Sequence, residues 1–215
     1  MGTVASFLRP IYTWQNATRR TDERWKKVKT IMATARTRRG ANINIGLTDE
    51  QREGVIDLLN HDLADTHILI IKTKKHHWDV VGPEFRSLHL LWDEQYATLS
   101  ENEDLIAERI RQLGGYPAGT AETFIKYSSL KEHPGDVPDA YEMVARLQAD
   151  HEQVIRNLRQ HIDQADERYS DQGTADFLTD LIRGHELMAW MLRSFVEGKE
   201  IVPDRQVSAI NSEPR

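Results

Sequence analysis

GPEFRSLHLLWDEQYATLSENEDLIAERIRQLGG, Gly82–Gly115, reads as one helix of about thirty residues. Pro83 is a favoured first-turn residue. Leu88, Leu91, Trp92, Leu99, Ile106, Ile110 and Leu113 supply apolar positions, and Gly114–Gly115 stops the helix. Before it, Thr48 and Gln51 have the spacing of a capping box. They open a helix that runs to about Trp78, with Val55, Leu58, Leu59, Leu63, Ile70 and Ile71 as its apolar positions, and the turn VVGP ends it. After it, residues 116–136 contain Pro117, Gly119, Pro134 and Gly135 and read as a connection, within which TAETFIKYSSL can form one short helix. A third helix is expected from Pro138 to about Tyr169. The stretch Asp171–Gly173 separates it from a fourth, about Thr174 to Glu197.

No strand candidate survives this reading. Four long helices, with a short helix in the connection between the second and third, make an all-α, ferritin-like four-helix bundle. The expected organisation is a basic N-terminal extension over 1–47, the bundle over 48–198 and a polar C-terminal tail over 199–215. The absence of Cys excludes disulfides, thiolate catalysis and Cys-based zinc or iron–sulfur sites, so any metal must be held by His, Asp and Glu. The longest apolar run is ILII at 68–71, far short of the roughly 20 residues a membrane helix needs. A cytoplasmic protein without membrane contact is expected.

The net charge of −6 conceals an asymmetry. Residues 1–45 carry ten Lys or Arg against two acids, so a basic arm is joined to an acidic body. Trp25, Val28, Ile31, Met32 and Ala35 recur in it at helical spacing. The basic positions Arg19, Arg20, Arg24, Lys26, Lys27, Lys29, Arg36, Arg38 and Arg39 are candidates for DNA contact. A membrane-surface helix and a segment docked on the body are the competing readings of the arm.

Chemistry concentrates on the second helix and the turn before it. His89 and Asp93 stand at i and i+4, as do Asp104 and Glu108, and His77 closes the preceding helix. At ~100° per residue both pairs overlap one side of the helix. At ~1.5 Å per residue His89 and Asp104 lie about 22 Å apart, whereas a metal bond is ~2 Å. One chain therefore cannot close a site with all five. A twofold antiparallel pairing, with its axis between residues 98 and 99, can: each of two equivalent sites takes His77, His89 and Asp93 from one chain and Asp104 and Glu108 from the other. Two imidazoles with several carboxylates suit Fe²⁺, with Zn²⁺, Mn²⁺ and Co²⁺ as competitors. The alternative is that the acids are solvated residues paired with Arg109 or Arg111.

KKHHWDVVGPEFRSLHLLWDE followed by DLIAERIRQLGG resembles the central signature of the Dps family, the mini-ferritins named for protecting DNA in starved bacteria. The likeness covers about residues 48–197. His-Trp, Gly-Pro, Phe-x-x-Leu-His, Asp-x-x-x-Glu-Arg and Gly-Gly occur in the family's order and spacing. It implies that His77, His89, Asp93, Asp104 and Glu108 are the metal ligands and catalytic residues of an inter-subunit ferroxidase centre. It also implies a homo-oligomeric dodecamer that oxidises ferrous iron, preferably with hydrogen peroxide, and stores ferric mineral. Asp171, Asp176 and Asp180 match the acids of the family's iron-admitting pores, although Asp171 also reads as a helix cap. Sequence-independent DNA binding through the basic arm is the expected second activity. A non-enzymatic DNA-compacting protein with structural zinc is the alternative.

Trp78 and Trp92 read as core or dimer packing, and either is a candidate electron donor in peroxide reduction. His76 lies about 100° round from His77 and is expected at the surface or in support of it. His61, His67, His151, His161 and His185 share no spacing and read as ordinary polar positions.

Overall fold

The computed structural model describes residues 43–197, so the basic arm and the C-terminal tail lie outside the described residues. Five α-helices and no strand occur among them. Helix α1 spans Asp49–Asp79, α2 Phe85–Gln112, α3 Ala121–Tyr127, α4 Ala140–Asp163 and α5 Gln172–Val196. Helices α1 and α2 form one antiparallel pair and α4 and α5 the other; α1 packs on α4 to join the pairs, and α3 lies against α1.

Local chemistry sets the boundaries. The Thr48–Gln51 capping box forms: the Gln51 amide donates to Thr48 Oγ1 at 3.3 Å and the Thr48 amide to Gln51 Oε1 at 2.8 Å. Helix α2 begins two residues after Pro83, inside a turn, rather than at it. It ends with Gly114 at φ +85°, and the Gly115 amide reaches back to the Ile110 carbonyl at 2.9 Å. The third helix does not run unbroken to Tyr169. After Asp163 the chain widens into a π-helical turn, Gln164–Arg168, that delivers Tyr169 against Gly54 of α1. A methyl group at Gly54 would sit 2.2 Å from the Tyr169 ring, so α1 needs glycine there.

Helix α1 is buried on a broad face because it touches α2, α3 and α4. Its Val55, Leu59, Leu63 and Leu69 meet Leu88, Trp92, Leu99 and Ile110 of α2 and residues such as Val144, Leu147, Leu178 and Leu192 of the other pair in one core. Each such side chain contributes about 1.5–3 kcal/mol by leaving water. Ile71, expected in that stripe, is instead 42% exposed. The long connection is fastened by polar contacts. Asp65 accepts from Ser128 Oγ (2.8 Å), the Ser129 amide (2.6 Å), Ser129 Oγ (2.9 Å) and Asn157 Nδ2 (2.9 Å). The buried Lys72 ammonium pairs with Asp150 at 2.5 Å and donates to the Lys131 carbonyl at 2.7 Å.

Candidate metal centre

The turn between α1 and α2 folds the end of one helix onto the start of the next. Gly82, at φ +102°, supplies a left-handed backbone that other residues rarely adopt. As a result His77 and His89 stack face to face, with ring centroids 3.7 Å apart and planes 19° from parallel. Each ring's Nδ1 lies 2.9 Å from the other residue's backbone carbonyl. A carbonyl can only accept, so both Nδ1 atoms carry the proton and both Nε2 lone pairs are left for a ligand.

Tyr96, absent from the sequence reading of the site, completes this end. Its hydroxyl donates to Asp93 Oδ1 at 2.5 Å, its ring stands edge-on to His77 at 5.6 Å, and the Lys74 ammonium lies 4.9 Å from its centroid. The bond to Asp93 raises the Tyr96 phenol above its usual range. Its signal was present in the sequence, three residues beyond Asp93 and so on the same helix face.

Asp104 and Glu108 lie on the exposed face of α2. The two arginines beside them are engaged elsewhere. Arg109 donates to Thr174 Oγ1 (3.0 Å) and Asp171 (3.1 Å), and Arg111 donates to the Gly115 carbonyl (2.6 Å) and covers the Tyr116 ring. Neither acid makes an ion pair among the described residues. Within one chain, no group of three or more His, Asp or Glu among the described residues is close enough to hold a metal ion. The five candidates thus fall into an imidazole end, with Asp93, and a carboxylate end, separated along α2.

These features accompany clear relationships to known proteins. Residues 56–200 match the ferritin-like domain family model. A DNA protection during starvation protein of Brevibacillus brevis is 36% identical over 140 residues, 65% of this chain and 93% of that protein. The chain belongs to the ferritin-like Dps family. A low temperature-induced protein of Nostoc sp. is 65% identical over 162 residues, 75% of this chain and 90% of the relative. Among solved structures, DpsC from Streptomyces coelicolor matches with a TM-score of 0.71 and 32% identity, covering 74% of this chain and 93% of that one. A Dps protein from Vibrio cholerae, described as a member of a broad superfamily of ferritin-like diiron-carboxylate proteins, matches with a TM-score of 0.67 and 28% identity, covering 72% and 96%.

Several other residues gain defined places: Trp92 in the core and Asp171 as a cap match the sequence reading. His76, expected at the surface or in support of His77, is buried, its ring 6.0 Å from that of Trp92. Burial, and then Lys72, Arg146 and neighbouring cations, push its pKa down to about 4. Trp92 is sealed in the core at 0% exposure, whereas Trp78 projects from the end of α1 at 70%. Asp171 is 5% exposed and caps α5: it accepts from the Thr174 amide (3.0 Å), Thr174 Oγ1 (2.6 Å) and Arg109. Its carboxylate is thereby committed within the chain; of the three pore candidates only Asp176 and Asp180 stand exposed, and Asp180 is paired with Arg183. His151 and His185 face each other across α4 and α5, Nδ1 to Nδ1 at 3.0 Å. His161 bonds the buried Asp62 at 2.7 Å, and that contact holds its pKa above the usual value despite burial.

Proposed function

We propose that this protein is a mini-ferritin that oxidises ferrous iron at centres shared between two chains and stores the ferric product inside a hollow dodecamer. Hydrogen peroxide is the preferred oxidant: two Fe²⁺ give two electrons to one H₂O₂, its O–O bond breaks, and two Fe³⁺ and two hydroxides result. Delivering both electrons in one place avoids release of a hydroxyl radical from a one-electron cut.

The observation that carries this reading is the state of the donors. His77 and His89 lock each other's tautomers and leave both Nε2 atoms available, while Asp104 and Glu108 are exposed and unpaired although Arg109 and Arg111 adjoin them. In the twofold pairing, the imidazole end of one chain meets the carboxylate end of its mate. The imidazoles bind Fe²⁺ as neutral donors, and the carboxylates favour the more highly charged Fe³⁺. Tyr96 occupies one oxygen of Asp93 and leaves the other for iron. Asp176 and Asp180 concentrate cations where iron is admitted. The names of relatives such as the Brevibacillus protein support a DNA-protecting role. For this chain we assign sequence-independent DNA association to the basic arm, acting multivalently in the assembly.

The test is anaerobic addition of Fe²⁺ followed by peroxide, on wild type and Glu108→Gln. Wild type should develop ferric absorbance and retain iron in the particle, and the variant should lose most of the rate. No ferric absorbance in wild type leaves a DNA-compacting protein with structural zinc as the better reading.

A further inference from the structure

Where α4 packs on α1, a second pair of imidazoles meets, well away from the candidate metal centre. His61 stands on α1, sixteen positions before His77 and so about 24 Å from it along the helix. His161 comes from the last turn of α4, with ring centroids 6.5 Å apart and planes 48° from parallel. Both residues are half-buried. His61 Nδ1 lies 2.7 Å from the Tyr127 carbonyl, which can only accept, so that nitrogen carries the proton. His161 Nδ1 donates to Asp62 Oδ1 at 2.7 Å. Neither Nε2 has a hydrogen-bond partner among the described residues. One ring is thus fixed by a carbonyl and the other by a buried carboxylate, the two supports that orient metal-binding histidines and strengthen them as donors.

We propose that His61 and His161 form a second metal site, which binds one Zn²⁺ through the two Nε2 atoms and clamps α1 to α4. Two imidazoles bound to one ion at ~2.1 Å hold their ring centres about 5–6.5 Å apart, the span from a tetrahedral to a linear arrangement. The observed 6.5 Å is the open end of that span, and closing onto a tetrahedral ion takes a ring movement of about 1 Å. Charge favours a cation here. Asp62 is 2% exposed, and its second oxygen, Oδ2, is buried without a hydrogen-bond partner. Asp57 stands exposed four residues before His61, on the same face of α1. Burial lowers the His161 pKa, while Asp62, Asp65 and Asp57 raise it, and the field of those three carboxylates attracts a metal ion as it does a proton. Two nitrogen donors from the protein leave the other positions to water, with Asp57 as the acceptor for one of them. Imidazole with water suits Zn²⁺ over the hard cations Mg²⁺ and Ca²⁺. Because Tyr127 ends α3 and its carbonyl holds His61, the ion ties three helices together at one point.

The experiment titrates Zn²⁺ into the iron-free full chain carrying His89→Ala/Glu108→Gln, so that the candidate centre on α2 does not compete. Sedimentation shows that each variant is assembled. One ion per chain is expected, bound with a dissociation constant of about micromolar or tighter, and X-ray absorption at the zinc edge should show two imidazoles. Adding His61→Gln should weaken this binding roughly tenfold or more and remove the two-imidazole signature, since loss of even a supporting group costs that much. Unchanged affinity on adding His61→Gln, or a bound ion without two imidazoles, overturns the proposal. If a variant fails to assemble, anomalous diffraction from zinc-soaked wild-type crystals decides. An ion between His61 and His161 is expected there, and zinc at other positions alone overturns the site.

Discussion

Lowering the pH from 7 to 5 should destabilise the bundle through His151 and His185. Both imidazoles are buried between α4 and α5 and held neutral. Burial brings His185 to about 4; burial, and then repulsion from a charge on His185, takes His151 well below 6.5. Unfolded imidazoles titrate near 6.5. The folded values lie lower, so the unfolded chain takes up protons first. The stability is fully present above about pH 6.5 and drains away as the pH falls toward the folded values. At pH 5, about 1.5 units below the unfolded value, His185 costs about 2 kcal/mol, and His151 adds a cost in the same direction. The assay is urea denaturation followed by circular dichroism at pH 7 and pH 5, at fixed protein concentration because association contributes to stability. The comparison is His151→Gln/His185→Gln, which cannot titrate there. Wild type should lose at least about 2 kcal/mol more than the variant between the two pH values. Equal losses would refute the assignment of two buried neutral imidazoles.

Gly54→Ala places a methyl group 2.2 Å from the Tyr169 ring and should cost about 1–3 kcal/mol in a urea titration, with Tyr169→Ala in the same chain relieving the clash. Asp171→Ala removes the α5 cap and the partner of Arg109. A loss of about 2 kcal/mol is expected with iron uptake retained, and it should be unlike Asp176→Asn/Asp180→Asn, which should slow uptake while leaving the denaturation midpoint near wild type.

The helix count and most boundaries were legible because they rest on local chemistry. The Thr48–Gln51 box and the Gly114 stop act within a few residues of chain. The π turn before Tyr169 was not legible, since its cause is the fit of that ring on Gly54, more than a hundred residues away. The histidines divide in the same way. His77 and His89 stood out because one short turn brings them together, whereas the partners of His151 and His161 lie on other helices at separations no periodicity encodes. Asp171 was visible as both cap and pore acid; its bonds from Thr174 show the cap, and Arg109, arriving from α2, is a partner no local pattern announces. Tyr96 was in plain view, but a phenol is neither an imidazole nor a carboxylate, the two donor types that stood at ligand spacing.

The most direct measurement takes two variants, each inactive by itself, and mixes them. His89→Ala disables the imidazole end and Glu108→Gln the carboxylate end of every centre. Co-assembly at equal amounts pairs the chains at random, so half the pairs are mixed, and each mixed pair holds one centre with both defects and one with none. With a shared centre, peroxide-driven Fe²⁺ oxidation should return to roughly a quarter of the wild-type rate. No recovery in verified mixed assemblies would contradict a centre built from two chains.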